Sequence, residues 1–279
     1  MKTLRVLGLS AAVALVTAPA SAQWTPEMVP PDSAAAPAPF GPGEHLTYHV
    51  KVGIFGAGNG WLSLEGFENV RGHLTYRAVM GIRGRFTFFS LNDLYKTWFD
   101  VETLQSWRFT RDMHQGSYTG TRDYGFYPER GRWERADNDE SGPLPTDVPL
   151  DDISFLYFVR TLPLEVGETY TFDRYFKETG NPVSVKVLRK DHRKTDAGEF
   201  DVIVVKPTFQ DEGLFSEDGE AVLEFSDDER RLLVYMWVDM PFIPGGVSLH
   251  LESVTEGVPV NPDSRAALLG PEHDDTVSP

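Results

Sequence analysis

The sequence predicts an all-β fold: a single strongly curved antiparallel sheet or half-closed barrel of about eleven to twelve strands, with one short helix packed on the concave face or mouth. Three observations predict it. Apolar residues recur at every second position along most of the chain, the period of strands that bury one face. Glycine, proline, asparagine and aspartate gather between those segments, where turns require them. One stretch carries helix start and stop signals around an apolar run.

In chain order, Leu46, Tyr48, Val50 and Val52 alternate with Thr47, His49 and Lys51 over 46–52. The glycines at 53, 56, 58 and 60 then turn the chain into a segment at 61–67, so a hairpin is expected. Leu74, Tyr76, Ala78 and Met80 continue the period, as do 94–100, 104–113 and 117–127. The second half repeats it at 169–176, 183–189, 200–206, 220–226, 231–239 and 247–254. The helix is expected over 153–160, with Asp151 and Asp152 placed to cap it and Pro163 to end it. Its apolar residues leave little polar surface, so it needs cover on most sides, as a lid across the mouth or on the concave face. Gly43-Glu44-His45-Leu46-Thr47-Tyr48 can be laid on Gly167-Glu168-Thr169-Tyr170-Thr171-Phe172. That likeness fits an internal duplication, or simply the usefulness of Gly-Glu before a strand.

The first residues have the form of a Sec-type export signal. Lys2 and Arg5 precede an apolar run, and Ala20-Ser21-Ala22 offers a small-residue cleavage site, so residues 1–22 are expected to be removed after Ala22. Residues 23–43 hold six prolines among alanines, a composition expected of a linker. The β domain is then 44–256, and 257–279 reads as a flexible tail. No stretch after the leader approaches the roughly 20 apolar residues of a membrane-spanning helix, so the expected location is periplasmic or secreted. The chain has no cysteine, which removes disulfides, thiolate metal sites, a cysteine nucleophile and a lipidated cysteine from consideration. Its formal charge is −16, and −18 without Lys2 and Arg5. Nucleic acid is not expected to be a partner of so acidic a chain.

A series of motifs resembles the secreted bacterial proteins of "domain of unknown function 3108". The matching stretches are the Gly43 to Tyr48 motif with Phe55-Gly56-Ala57-Gly58, Asp93-Leu94-Tyr95 with Trp98-Phe99-Asp100, Thr161-Leu162-Pro163-Leu164-Glu165-Val166-Gly167-Glu168, and Thr195-Asp196-Ala197-Gly198-Glu199-Phe200. The resemblance implies export and a β-rich domain. It implies no activity and no catalytic residue.

The residues themselves offer little chemistry. There is no Gly-x-Ser-x-Gly elbow, and Ser248 and His250 share a strand face at a spacing too wide to assume a hydrogen bond. The seven histidines are scattered, and His45 and His49 read as solvent-facing, so no metal or other cofactor is expected. Asp137-Asn138-Asp139-Glu140-Ser141-Gly142 begins like a calcium loop, but position twelve is Val148. Paired carboxylates for glycoside chemistry could come from Asp151 and Asp152, or from Asp211, Glu212 and Glu217, although capping is the plainer duty of the first pair.

The most suggestive group is aromatic and cationic. Tyr95, Trp98, Trp107, Arg108, Tyr118, Arg122 and Tyr124, with Lys96, Arg111 and Tyr127 among them, could line a concave ligand-binding surface. The same aromatics could equally be core. Three functions follow: noncatalytic binding or carriage of an apolar or amphipathic envelope ligand, a lipid or a glycan; an envelope assembly factor that binds a protein partner; or a polysaccharide hydrolase or lyase. The lack of a reactive constellation favours a protein that is not an enzyme.

Overall fold

In the computed structural model, residues 38–86, 89–210, 220–240 and 243–260 are described. The expected leader, most of the expected linker, Asp211, Glu212, Glu217 and residues 261–279 lie outside them.

Fourteen strands form one antiparallel sheet. They are β1 (His45–Val52), β2 (Phe55–Val70), β3 (His73–Phe86), β4 (Phe89–Asp100), β5 (Ser106–Gln115), β6 (Tyr118–Tyr127), β7 (Arg132–Arg135) and β8 (Ser141–Pro143), then, after α1 (Asp152–Arg160), β9 (Thr169–Phe172), β10 (Val183–Thr195), β11 (Gly198–Thr208), β12 (Ala221–Ser226), β13 (Leu233–Met240) and β14 (Ile243–Thr255). Twelve coincide with the alternating segments of the sequence. The two additional strands are β7 and β8, too short to show a period.

The spatial order runs from β8 down to β1, then from β14 down to β9. The first and last strands therefore pair in the middle of the sheet, and its two free edges are β8 and β9. Between those edges the chain inserts α1, and the seam is stitched by an isolated parallel bridge between Leu150 and Tyr175. Leu150 N donates to Arg174 O at 2.6 Å, and Phe176 N donates to Leu150 O at 3.2 Å. The fold is thus a curved, barrel-like sheet that does not close.

All nine residues of α1 are buried. The helix fills the curve as a plug, the concave-face placement among the two that the sequence predicts. It carries Phe155 and Phe158 against Phe172, and Tyr157 against Phe40 and Phe99. Burying an aromatic side chain of that size contributes about 1.5–3 kcal/mol, so this aromatic interior can hold a cysteine-free chain together.

Phe40 is 1% exposed and sits edge-on to Tyr76, Phe99 and Tyr157. The expected linker therefore does not stay apart from the domain along its described end, because one aromatic residue among the prolines is large enough to anchor it. Val258 N donates to Pro42 O at 3.0 Å, so the start of the expected tail runs beside this segment.

The Gly-Glu motifs make the same turn twice. Gly43 and Gly167 have φ of 92° and 94°, a left-handed backbone that favours glycine. Gly43 N donates to Leu64 O and Leu64 N to Glu44 O; Gly167 N donates to Val187 O and Val187 N to Glu168 O. Their carboxylates differ, since Glu44 is buried and Glu168 is exposed.

Candidate functional site

The inward faces of β4 and β5 place a polar layer beneath the helix start. Asp151 caps α1, accepting from Ile153 N at 2.8 Å and Ser154 N at 3.0 Å through Oδ1. Thr97 and Ser106 donate to its Oδ2 at 2.5 and 2.7 Å. Complete burial nevertheless pushes this carboxyl up to about 6, against those hydrogen bonds. Beside it Arg111 is bound to Asp152, which also accepts from the Tyr175 hydroxyl at 3.1 Å. Burial works against the Arg111 charge, and the Asp152 carboxylate more than restores it. The two aspartates expected as caps thus serve structure, with both side chains buried.

The helix end is tied in the same manner. Arg160 grips Glu44 through two bonds of 2.6 and 2.7 Å and donates to Pro39 O and Arg230 O. Arg174, 7% exposed, lies over the Phe158 ring and donates to Val148 O and Thr103 O. With no carboxylate among these contacts, burial lowers its pKa to about 10.

The aromatic and cationic residues singled out in the sequence divide between two faces. Tyr95 and Tyr124 belong to the interior core, where Phe109 stacks between them. Arg122 is opposite inward-facing Arg111, and Tyr118 is opposite Gln115, so both take the inward parity of β6. Trp98, Trp107 and Arg108 lie apart from them. Arg108 stacks on Trp98 and binds Asp123 at 2.9 and 2.6 Å, while Trp107 stacks on His73. Alternation alone sets Trp98 opposite in face to Tyr95, and Arg108 opposite to Phe109; the β4–β5 register shift between Trp98 and Phe99 leaves Trp107 unpaired, a displacement that alternation does not reveal.

At one end of the sheet the interior opens. Ile82 of β3, Leu91, Asp93 and Tyr95 of β4, and Gln115 of β5 face Met236 and Val238 of β13 and Val247 and Leu249 of β14 across a cleft of about 20 Å³. That is room for a water or two, since one needs about 10–15 Å³. The β1–β2 and β5–β6 turns lie at the same end, where Ile54 is 86% and Phe55 58% exposed and Tyr118 stands half in solvent. Asp93, 3% exposed, is the acidic group of the cleft. It accepts from His114 N (3.0 Å), Gln115 Nε2 (2.5 Å) and the Tyr95 hydroxyl (3.3 Å). Burial raises its pKa, and those three bonds oppose the rise.

The outward face also holds a contact that the sequence spacing did not lead one to expect. Ser248 Oγ and His250 Nε2 are 3.1 Å apart, because the imidazole is long enough to reach across the i, i+2 spacing of one strand face. Burial lowers His250 to about 4, assisted by Lys51, Arg193 and His49. Ser248 is itself buried, and among the described residues no carboxylate is bonded to the ring to serve as the third member of a nucleophilic site. His49 binds Asp196 at 2.9 Å. Asp137 of the calcium-like loop is taken by Arg135 and by Asp123 N. Among the described residues no three His, Asp or Glu side chains are placed to hold a metal ion.

The family model described as "Protein of unknown function (DUF3108)" matches residues 47–252. The chain belongs to the DUF3108 family. No curated protein matches this DUF3108 chain significantly. A β-barrel-like protein of domain of unknown function DUF1849 from Brucella abortus superposes with a TM-score of 0.51 at 11% identity, covering 77% of the DUF3108 chain and 98% of its own. At that identity the likeness is one of fold. A Parabacteroides distasonis protein described as a lipoprotein (TM-score 0.34, 11% identity, 78% of this chain and 99% of its own) and a Bacteroides fragilis protein described as exported with a YmcC-like fold (0.32, 11%, 80% and 100%) match more loosely. Among the described residues no helix of this DUF3108 protein is long and apolar enough to cross a membrane. The pairs Arg77–Glu65, Arg108–Asp123 and Arg132–Glu134 give the strands a charged outer surface, the reverse of a lipid-facing barrel.

Proposed function

We propose that this DUF3108 protein is an exported, noncatalytic binding protein that holds an apolar or amphipathic envelope ligand at the open mouth of its sheet. The observation that carries this reading is the apolar-walled cleft at the end where Ile54, Phe55 and Tyr118 are exposed. The buried helix argues against a carrier that engulfs its ligand, so contact is shallow, along the cleft walls and the rim. The leader-like first 22 residues support export. Of the residues expected to bind, Tyr95 lines the cleft and Tyr118 and Arg122 share its inward parity, whereas Tyr124 is packed in the core; Trp98, Trp107 and Arg108 suit a separate surface contact.

Native mass spectrometry of the protein purified from a periplasmic extract, followed by analysis of released small molecules, tests the reading. A specific co-purifying amphiphile is the expected result. An empty protein with no affinity for amphiphiles would turn attention to the second reading, an assembly factor. That reading draws on Ile54 and Phe55, which could bury themselves in a protein partner as readily as against a ligand.

A further inference from the structure

Five acidic side chains are buried among the described residues: Glu44, Asp93, Asp151, Asp152 and Glu224. A buried charge is costly unless an opposite charge or dipole compensates it. Glu44 has Arg160, Asp152 has Arg111 and Glu224 has Arg193. Asp151 sits at the N-terminus of α1, where the helix dipole presents positive charge.

Asp93 is the exception. Its hydrogen-bond partners are a backbone amide, a carboxamide and a hydroxyl, all of them neutral. The three donors spend themselves on one carboxyl group, an arrangement that suits its ionised form. The His114 ring turns to Asp112, 3.2 Å away. The connecting segments 87–88, 211–219 and 241–242 contain no lysine or arginine in the sequence. Among the described residues this is therefore the one buried carboxylate with neither a lysine or arginine bound to it nor a helix N-terminus beside it, the His114 ring acting on it only at a distance, and it stands in the wall of the cleft.

We infer that the mouth takes a ligand whose apolar chain ends in a primary ammonium group, and that Asp93 is its counter-ion. This rests on the reading of the mouth as the binding end. The ammonium enters toward Asp93 and Gln115, while the chain runs outward between Leu91, Val238 and Val247 toward the exposed rim. A neutral alcohol of the same length keeps the apolar contacts and loses the charge. A carboxylate adds repulsion.

Calorimetric titration of the whole protein with hexylammonium, 1-hexanol and hexanoate near pH 7 separates these terms. Hexylammonium is expected to bind at least about tenfold more tightly than hexanol, the difference a charge-assisted hydrogen bond supplies, and hexanoate most weakly. Asp93→Asn should bring hexylammonium to the level of hexanol with hexanol unchanged. Val238→Phe, which fills the cleft and leaves Asp93 in place, should abolish both. Equal binding of hexylammonium and hexanol to the unaltered protein, with both lost in Val238→Phe, would overturn the counter-ion role and leave the mouth as the binding end. Failure of both to bind, or their indifference to Val238→Phe, would overturn the mouth reading and this inference with it. The comparison of ligands on the unaltered protein decides the matter even if a variant does not fold.

Discussion

Asp151 shows how far one residue's duty can be read before its surroundings are known. Its place before an apolar run identifies a cap, and it is one. Its complete burial under Thr97 and Ser106 depends on β4 and β5, which no local pattern announces. Burial moves its pKa from the ordinary value of about 3.9 to about 6. The folded state thus favours the proton, so the stability this group contributes is fully present below about pH 4 and is lost as pH rises through 6. Two pKa units correspond to about 3 kcal/mol. Asp151→Asn keeps a capping oxygen, and its amide can donate to the two hydroxyls. Urea unfolding of that variant should show stability at pH 7.5 equal to or above the unaltered protein's, with a flatter pH dependence between 4 and 6. A loss of more than about 1 kcal/mol at pH 7.5 would mean that the ionised cap is the favoured form.

At the scale of elements, strands were legible where they are long. Segments such as 46–52 bury one face, and their alternation is the imprint of that burial, whereas β11 and β12 are buried on both faces over 202–205 and 223–226. Arg132–Arg135 contains one apolar residue, Trp133, and Ser141–Pro143 none, so neither strand leaves a period to read. The helix was legible as a helix that needs cover on most sides, while the choice between concave face and mouth was not, because that depends on how the sheet curves around it. Its end is fixed by the Glu44–Arg160 pair, nearly fully buried on both sides. Removing one member of such a pair costs about 3–5 kcal/mol. Glu44→Leu alone should therefore lower stability by that order in denaturant melts, and adding Arg160→Met should recover part of the loss. A double variant as unstable as the sum of the single ones would mean that the bonds from Arg160 to Pro39 O and Arg230 O, rather than the ion pair, hold the helix end.

For the molecule as a whole, the meeting of first and last strands sets both the boundary of the domain and the position of the site. Composition placed the domain's start at 44, yet Phe40 is core. A chain beginning at 44 loses that ring, and Phe40→Ala models the loss; each should cost about 3–5 kcal/mol, measurable as a fall in the urea midpoint. Unchanged midpoints would show that the aromatic cluster closes without Phe40. The mouth itself was not legible. Its walls come from β3 to β5 and from β13 and β14, more than a hundred residues apart in sequence, and only the curvature of the sheet sets them face to face. The acidic exception at Asp93 becomes visible only once every other buried carboxylate has been matched with its partner.

The central claim is that the molecule binds at its mouth around a filled interior. Methyl-labelled NMR during titration with hexylammonium tests it most directly. The account predicts shifts confined to Ile82, Leu91, Met236, Val238, Val247 and Leu249, with Ile54 at the rim, and none at Ile153, Leu156 and Val159 of the buried helix. Shifts centred on the helix methyls, or none at the mouth, would contradict it.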